Sequence, residues 1–144
     1  MSTRWRSAIW IGAGLLVADL ATKWLAVVIA GDGDLGFITP RRNPELALGV
    51  LTLDMHPAAI VALVIVTIGV VVHGLRLTHQ GLSPAWPPLL MISGILGNGI
   101  DRAATGAVHD WLYLGQVVAN VADFVLVAGI AGYVFYAWRA AGVE

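Results

Sequence analysis

Three aspartates, two asparagines and an arginine sit in three short runs: Gly97-Asn98-Gly99-Ile100-Asp101-Arg102, Val108-His109-Asp110-Trp111 and Asn120-Val121-Ala122-Asp123-Phe124. Each run adjoins an apolar stretch. Charged groups in or beside hydrocarbon are costly, so they mark functional sites by default. Two carboxylates that converge there cannot both ionise cheaply, and they can share one proton. That is the arrangement acid–base cleavage of a peptide bond needs. Asp110 and Asp123 suit it best, because Asp110 lies in the loop that feeds the helix start carrying Asp123.

The rest of the chain must hold these runs at a membrane. Its 144 residues are 58% hydrophobic and 12% charged, with a mean hydropathy of +0.82. A soluble domain of this length could not hide that much apolar side chain. The length suits one domain, residues 1–144, with about four spans of roughly 20 residues each. Apolar stretches cover about residues 9–30, 58–75, 87–104 and 117–138. Pro57 suits a first helical turn, and Trp5, Trp86, Trp111 and Trp138 stand near span ends like an aromatic belt. Arg4, Arg6 and Val28-Ile29-Ala30 flank the first stretch as they would in a cleaved leader. Its length and its internal Asp19 and Lys23 make it a retained span instead.

The expected fold is an all-α membrane protein: a four-transmembrane-helix bundle with a small extracytoplasmic cap, residues 31–57, between the first two helices. The cap has room for short strands near Leu35–Thr39 and Leu48–Leu53. Gly14 with Ala18, Ser93 with Gly97, and Ala128 with Gly132 are small pairs that permit close helix approach. Arg4, Arg6, Arg76 and Arg139 fall on one side and Arg41, Arg42 and Arg102 on the other. This balance predicts cytoplasmic termini and an outward-facing site.

Several chemistries are excluded. A net charge of -1 and the lack of a basic stripe argue against nucleic acid. Without cysteine there is no disulfide, thiol nucleophile or lipidation site. His56, His73, His79 and His109 show no ligand spacing, so no metal is expected. No serine has a histidine and an acid arranged around it.

The polar residues also have plain structural readings. Asp19 and Lys23 share a helix face at i, i+4, as an intramembrane ion pair or as support for a site at the outer helix end. Asn98, Asp101 and Arg102 share another face. Asp101 opposes the dipole at a helix C-terminus and needs a partner, for which Arg102, Arg41 and Arg42 are candidates. Asn120 and Asp123 have the spacing of a capping box. His109 could tune Asp110 or be a solvated loop residue.

Together the motifs resemble those of the bacterial lipoprotein signal peptidases (signal peptidase II), in order along nearly the whole chain. They are Asp19-x-x-x-Lys23, the run Asn43-Pro44-Glu45-Leu46-Ala47-Leu48-Gly49, Gly97-Asn98 to Asp101-Arg102, Val108-x-Asp110-Trp111 and Asn120-x-Ala122-Asp123. The resemblance implies an intramembrane aspartic protease that cuts diacylglyceryl-modified prolipoproteins before the lipidated cysteine. It implies Asp110 and Asp123 as the catalytic pair. Asn43, Asn98, Arg102 and Asn120 would hold the substrate backbone or position the pair, with Asp19, Lys23 and Asp101 as further polar support. No cofactor is implied. The partners would be lipid-modified signal peptides and membrane lipid, the enzyme a monomer, and its place the bacterial inner membrane.

Departures fall at Glu45, Leu48, Trp111, Leu112-Tyr113-Leu114 and Ala119. They bear on substrate range and point to a divergent paralogue. Two other classes stand beside the protease: a catalytically silent lipopeptide-binding paralogue, and a small transporter or assembly factor. The polar residues cluster toward one face rather than lining both halves of a path, which favours the protease.

Overall fold

The structure, a computed structural model, describes residues 3–31, 33, 35–44 and 57–142. The motif residues Glu45 to Gly49 and the strand expected at Leu48–Leu53 lie outside them.

Four helices run through the described residues: α1 over Thr3–Ala30, α2 over Pro57–His79, α3 over Trp86–Thr105 and α4 over Val121–Ala141. Three of them, α1, α2 and α4, are long and apolar enough to cross a membrane. Helix α3 is less apolar because Asn98, Asp101 and Arg102 lie in it. The surface is inverted relative to a soluble protein. Trp10, Val17, Trp24, Ile65, Val66 and Trp138 are exposed, whereas Asp19, Lys23, Asp101, Asp110 and Asn120 are buried. In hydrocarbon, polar groups must find partners inside the bundle.

A small sheet crosses the end of the bundle where α3 stops and α4 starts. Its order is β1 (Ile38–Asn43), β2 (Val108–Tyr113), β3 (Val118–Ala119), all antiparallel. Arg41 pairs with Asp110, and Leu112 pairs with both Ile38 and Ala119. The first strand therefore falls in the expected cap, slightly later than Leu35–Thr39. The second was not expected. Its Val-His-Asp-Trp-Leu-Tyr run is bounded by Gly106 (φ 81°) and Gly115 (φ 89°), which supply the left-handed turns at either end. The fourth apolar stretch starts near residue 117, ahead of the capping box at Asn120. The ladder with β2 claims Val118 and Ala119, and the helix begins at Val121.

Close packing of α3 against α1 and α4 is made by glycines. A Cβ at Gly97 would stand 2.6 Å from Asp19 Oδ2, and one at Gly94 would stand 2.7 Å from the Ala122 carbonyl oxygen. A Cβ at Gly129 would stand 2.7 Å from the Met91 backbone nitrogen. Of the expected small pairs, Ser93 and Gly97 are buried in this seam, but Gly14 faces open space and Gly12 meets Ser93 in its place. Gly97→Ala is expected to cost about 1–3 kcal/mol. Asp19 is pinned and cannot yield cheaply, so the cost appears as a lower thermal midpoint in detergent. An unchanged midpoint would mean that α1 and α3 slide apart freely.

Candidate active site

Helix α1 supplies a buried ion pair. Lys23 Nζ is 2.8 Å from Asp19 Oδ2, 2.8 Å from Asn98 Oδ1 and 3.6 Å from Asp101 Oδ2. Asp19 Oδ2 makes no well-angled hydrogen bond, so its contact with Lys23 is electrostatic rather than directional. The other oxygen, Oδ1, accepts the backbone N–H of Ala122 at 2.8 Å. That N–H is one of the donors an α-helix leaves unpaired at its start, and a carboxylate there also gains from the dipole. Asp19 therefore ties α1 to the first turn of α4.

Asn98 relays this cluster onward. It accepts from Lys23 through Oδ1 and donates through Nδ2 to Asp123 Oδ1 at 3.0 Å. Asp123 Oδ2 accepts the Asn120 backbone N–H at 3.1 Å, and Asn120 Oδ1 accepts the Asp123 N–H at 3.1 Å. The reciprocal capping box is present. It does not exhaust either residue. Asp123 keeps one oxygen for Asn98, and Asn120 Nδ2 reaches Asp110 Oδ1 at 2.5 Å. Asn120 is fully buried and joins the two aspartates.

Asp110 lies in the middle of β2, 4% exposed. Its Oδ2 accepts Asn43 Nδ2 at 2.8 Å, from the end of β1. Burial pushes the Asp110 carboxyl above its ordinary range. The amides of Asn43 and Asn120 oppose that shift, and the charge of Asp123 adds to it. The site thus draws its polar parts from α1, β1, α3, β2 and the start of α4.

Asp101 feels the charge of Arg102, as expected, but its closest partners are others. Its carboxylate accepts the His109 backbone N–H at 2.7 Å and contacts His109 Nδ1 at 2.8 Å, with Lys23 beside it. His109 is accordingly not a solvated loop residue. It clamps the strand carrying Asp110 to the last turn of α3. The strand alternation of Val108, His109 and Asp110 was the available signal, since it puts the histidine and the aspartate on opposite faces. Arg42 donates from Nη2 to the Thr105 carbonyl, which holds β1 to the same helix end.

Asp110, Asp123, Asn43, Asn98 and Arg102 share the lining of one cavity of about 670 Å³. The remainder of its lining is almost wholly apolar and comes from α2, α3 and α4, with Val108 from β2. Of the nine site residues expected, five thus face one space. Asn120 joins two of them from behind, and Asp19, Lys23 and Asp101 form the charged network beneath. An aspartate pair with separate amide donors, at the mouth of an apolar cavity, can polarise a carbonyl and activate a water beside a bound hydrocarbon group.

Residues 11–139 match a family model described as signal peptidase (SPase) II. The chain is 30% identical over 138 residues to a lipoprotein signal peptidase of Geobacillus kaustophilus (strain HTA426), covering 84% of this chain and 86% of that protein. It is 46% identical over 57 residues to a lipoprotein signal peptidase of Methylorubrum extorquens (strain PA1), a match that spans 36% of this chain and 33% of that relative. A solved structure described as a bacterial membrane enzyme superposes with a TM-score of 0.68 at 22% identity, over 96% of this chain and 91% of that one. That likeness shows a shared fold.

Proposed function

The chain belongs to the signal peptidase II family, and from that premise we propose that it is an aspartic endopeptidase that cuts diacylglyceryl-modified prolipoproteins before the lipidated cysteine. The family and the three span-length helices support a protease of the bacterial inner membrane. The observation that carries the aspartic reading is buried Asn120, which donates from its amide to the Asp110 carboxylate and from its backbone N–H to the Asp123 carboxylate.

The chemistry needs one proton between Asp110 and Asp123. Burial favours that proton on Asp110. The charged carboxylate takes a proton from water as the water oxygen bonds to the scissile carbonyl carbon. The protonated carboxyl donates a hydrogen bond to the carbonyl oxygen. As the C–N bond breaks, a proton passes to the departing amine of the lipidated cysteine. The peptide acid and the free amine then leave. Asn43 and Asn120 orient Asp110, Asn98 orients Asp123, and Arg102 anchors a substrate carbonyl. Arginine stays charged throughout and cannot serve as acid or base.

The whole chain acts as one domain with four spans, α3 being shielded among the other three helices. Cytoplasmic termini would place the sheet and the aspartate pair at the outer face. Asp19, Lys23 and Asp101 support the site, and the enzyme works as a monomer on lipidated signal peptides drawn from the bilayer. The test is a gel-shift assay: purified protein should shorten a diacylglyceryl prolipoprotein and leave the unmodified precursor intact. No cleavage of either would favour the silent lipopeptide-binding reading. The absence of cysteine makes topology simple to test. Gln116→Cys, in the turn between β2 and β3, should react with an impermeant thiol reagent on intact cells. Gln80→Cys, between α2 and α3, should not. The reverse pattern would put the site on the cytoplasmic face.

A further inference from the structure

The cavity below the aspartates has a definite floor. From Leu63 to Val70, α2 stands away from α3 and α4 and lines the cavity. Below Val70 it closes. A Cβ at Gly74 would meet both Pro88 and Tyr133 at 3.4 Å, so the three helices touch there. His73 Nδ1 lies 2.9 Å from the Tyr133 hydroxyl, with the rings edge to face at 5.8 Å. The tyrosine lines the cavity, and the histidine is exposed on an otherwise apolar span. A polar group facing hydrocarbon is costly unless paired. The pair therefore fixes the Tyr133 ring across the bottom of the space.

Depth and lining point to the occupant. Tyr133 lies ten residues after Asp123 on α4, about 15 Å along a helix axis. Between them the lining is almost wholly apolar side chain. That suits acyl chains, which bring no polar group to be satisfied there. Val66, Val127 and Val134 on the rim are exposed, so the space opens sideways between α2 and α4, as entry from lipid requires.

We propose that the cavity takes the acyl chains of the substrate's diacylglyceryl group and that Tyr133, held by His73, is the specificity-determining floor that limits their length. This rests on the prolipoprotein peptidase reading above. Chains that end above the ring are covered by the cavity wall. Longer ones must bend out through the opening or displace the ring.

The experiment measures kcat/KM on one prolipoprotein carrying dodecanoyl, hexadecanoyl or icosanoyl chains. The wild-type protein should disfavour the icosanoyl substrate by about tenfold or more, as hydrophobic pockets do for excess methylenes. Tyr133→Ala should largely erase that preference, and His73→Leu should weaken it. Val70→Phe, one turn above the floor, should move the preference toward dodecanoyl chains, which keeps the idea testable if Tyr133→Ala fails to fold. Identical chain-length ratios in wild type and the folded variants would overturn the proposal. So would variants that instead change the response to the length of the signal peptide's apolar segment. Cleavage of no substrate by the wild-type protein is a different result, and it removes the peptidase reading itself.

Discussion

Asp110→Asn is expected to bind the lipidated precursor at close to the wild-type level and to cleave it about 10²–10⁴-fold more slowly, or not measurably. The substitution keeps size and hydrogen-bonding capacity and removes the proton cycle. It also exchanges one acceptor oxygen for an amide donor beside Asn43 or Asn120, so its binding has to be measured along with its rate. The pH dependence has a definite sign. Asp110 is raised in the folded protein, so below the ordinary carboxyl range it is protonated in both folded and unfolded chains. As pH rises through the raised value, the fold must carry a buried charge and loses that share of its stability. Cleavage that needs one proton on the pair should fall over the same interval. In Asn43→Ala, which removes one amide from the carboxylate, the alkaline limb should shift to higher pH. A limb that stays fixed, or moves to lower pH, would mean Asp110 does not govern it.

Lys23→Met should be the most destabilising single change in the bundle, by about 3–5 kcal/mol. The ammonium is buried and lies against Asp19, Asn98 and Asp101 at once. Removing it leaves two aspartates without their shared cation, and one of them holds the first turn of α4. The loss should appear as a fall in the thermal midpoint in detergent, with less folded protein recovered from membranes. Activity should fall with folded amount and further still, because Asn98 loses the partner that orients it toward Asp123. A normal midpoint would show that Asp19 and Asp101 are satisfied without the lysine, and the network would then be incidental.

The parts of this site that were readable in the sequence are those set by short-range helix geometry. The spacing of Asp19 and Lys23 is enough to pair them, and that of Asn120 and Asp123 is enough to form the capping box. What the sequence hid depends on contacts made over long separations. Asp101 has three arginines within plausible reach by topology, yet its closest contacts are with Lys23 and His109, and Arg102 acts on it by charge. Nothing in the local pattern around Asp101 chooses among them. The second strand was obscured because Val108–Tyr113 is short and flanked by polar motifs that read as loop. Its neighbour, residues 117–119, is apolar and merges with the span that follows. Small residues were visible, but their facing was not: continuous hydrophobicity carries no period, and the glycine of α1 that meets α3 is Gly12 rather than Gly14.

Asp123 is where the structural and the chemical readings meet, and it is the sharpest test of the whole account. An asparagine there can still cap α4 and still meet Asn98, so the fold should persist. The decisive measurement is the cleavage rate of purified Asp123→Asn on a diacylglyceryl prolipoprotein, with folding checked by its thermal midpoint. The account predicts a folded protein that binds the substrate and leaves it uncut. A folded variant that cuts at the wild-type rate would make Asp123 a helix cap and nothing more, and the aspartate pair would not be the catalyst.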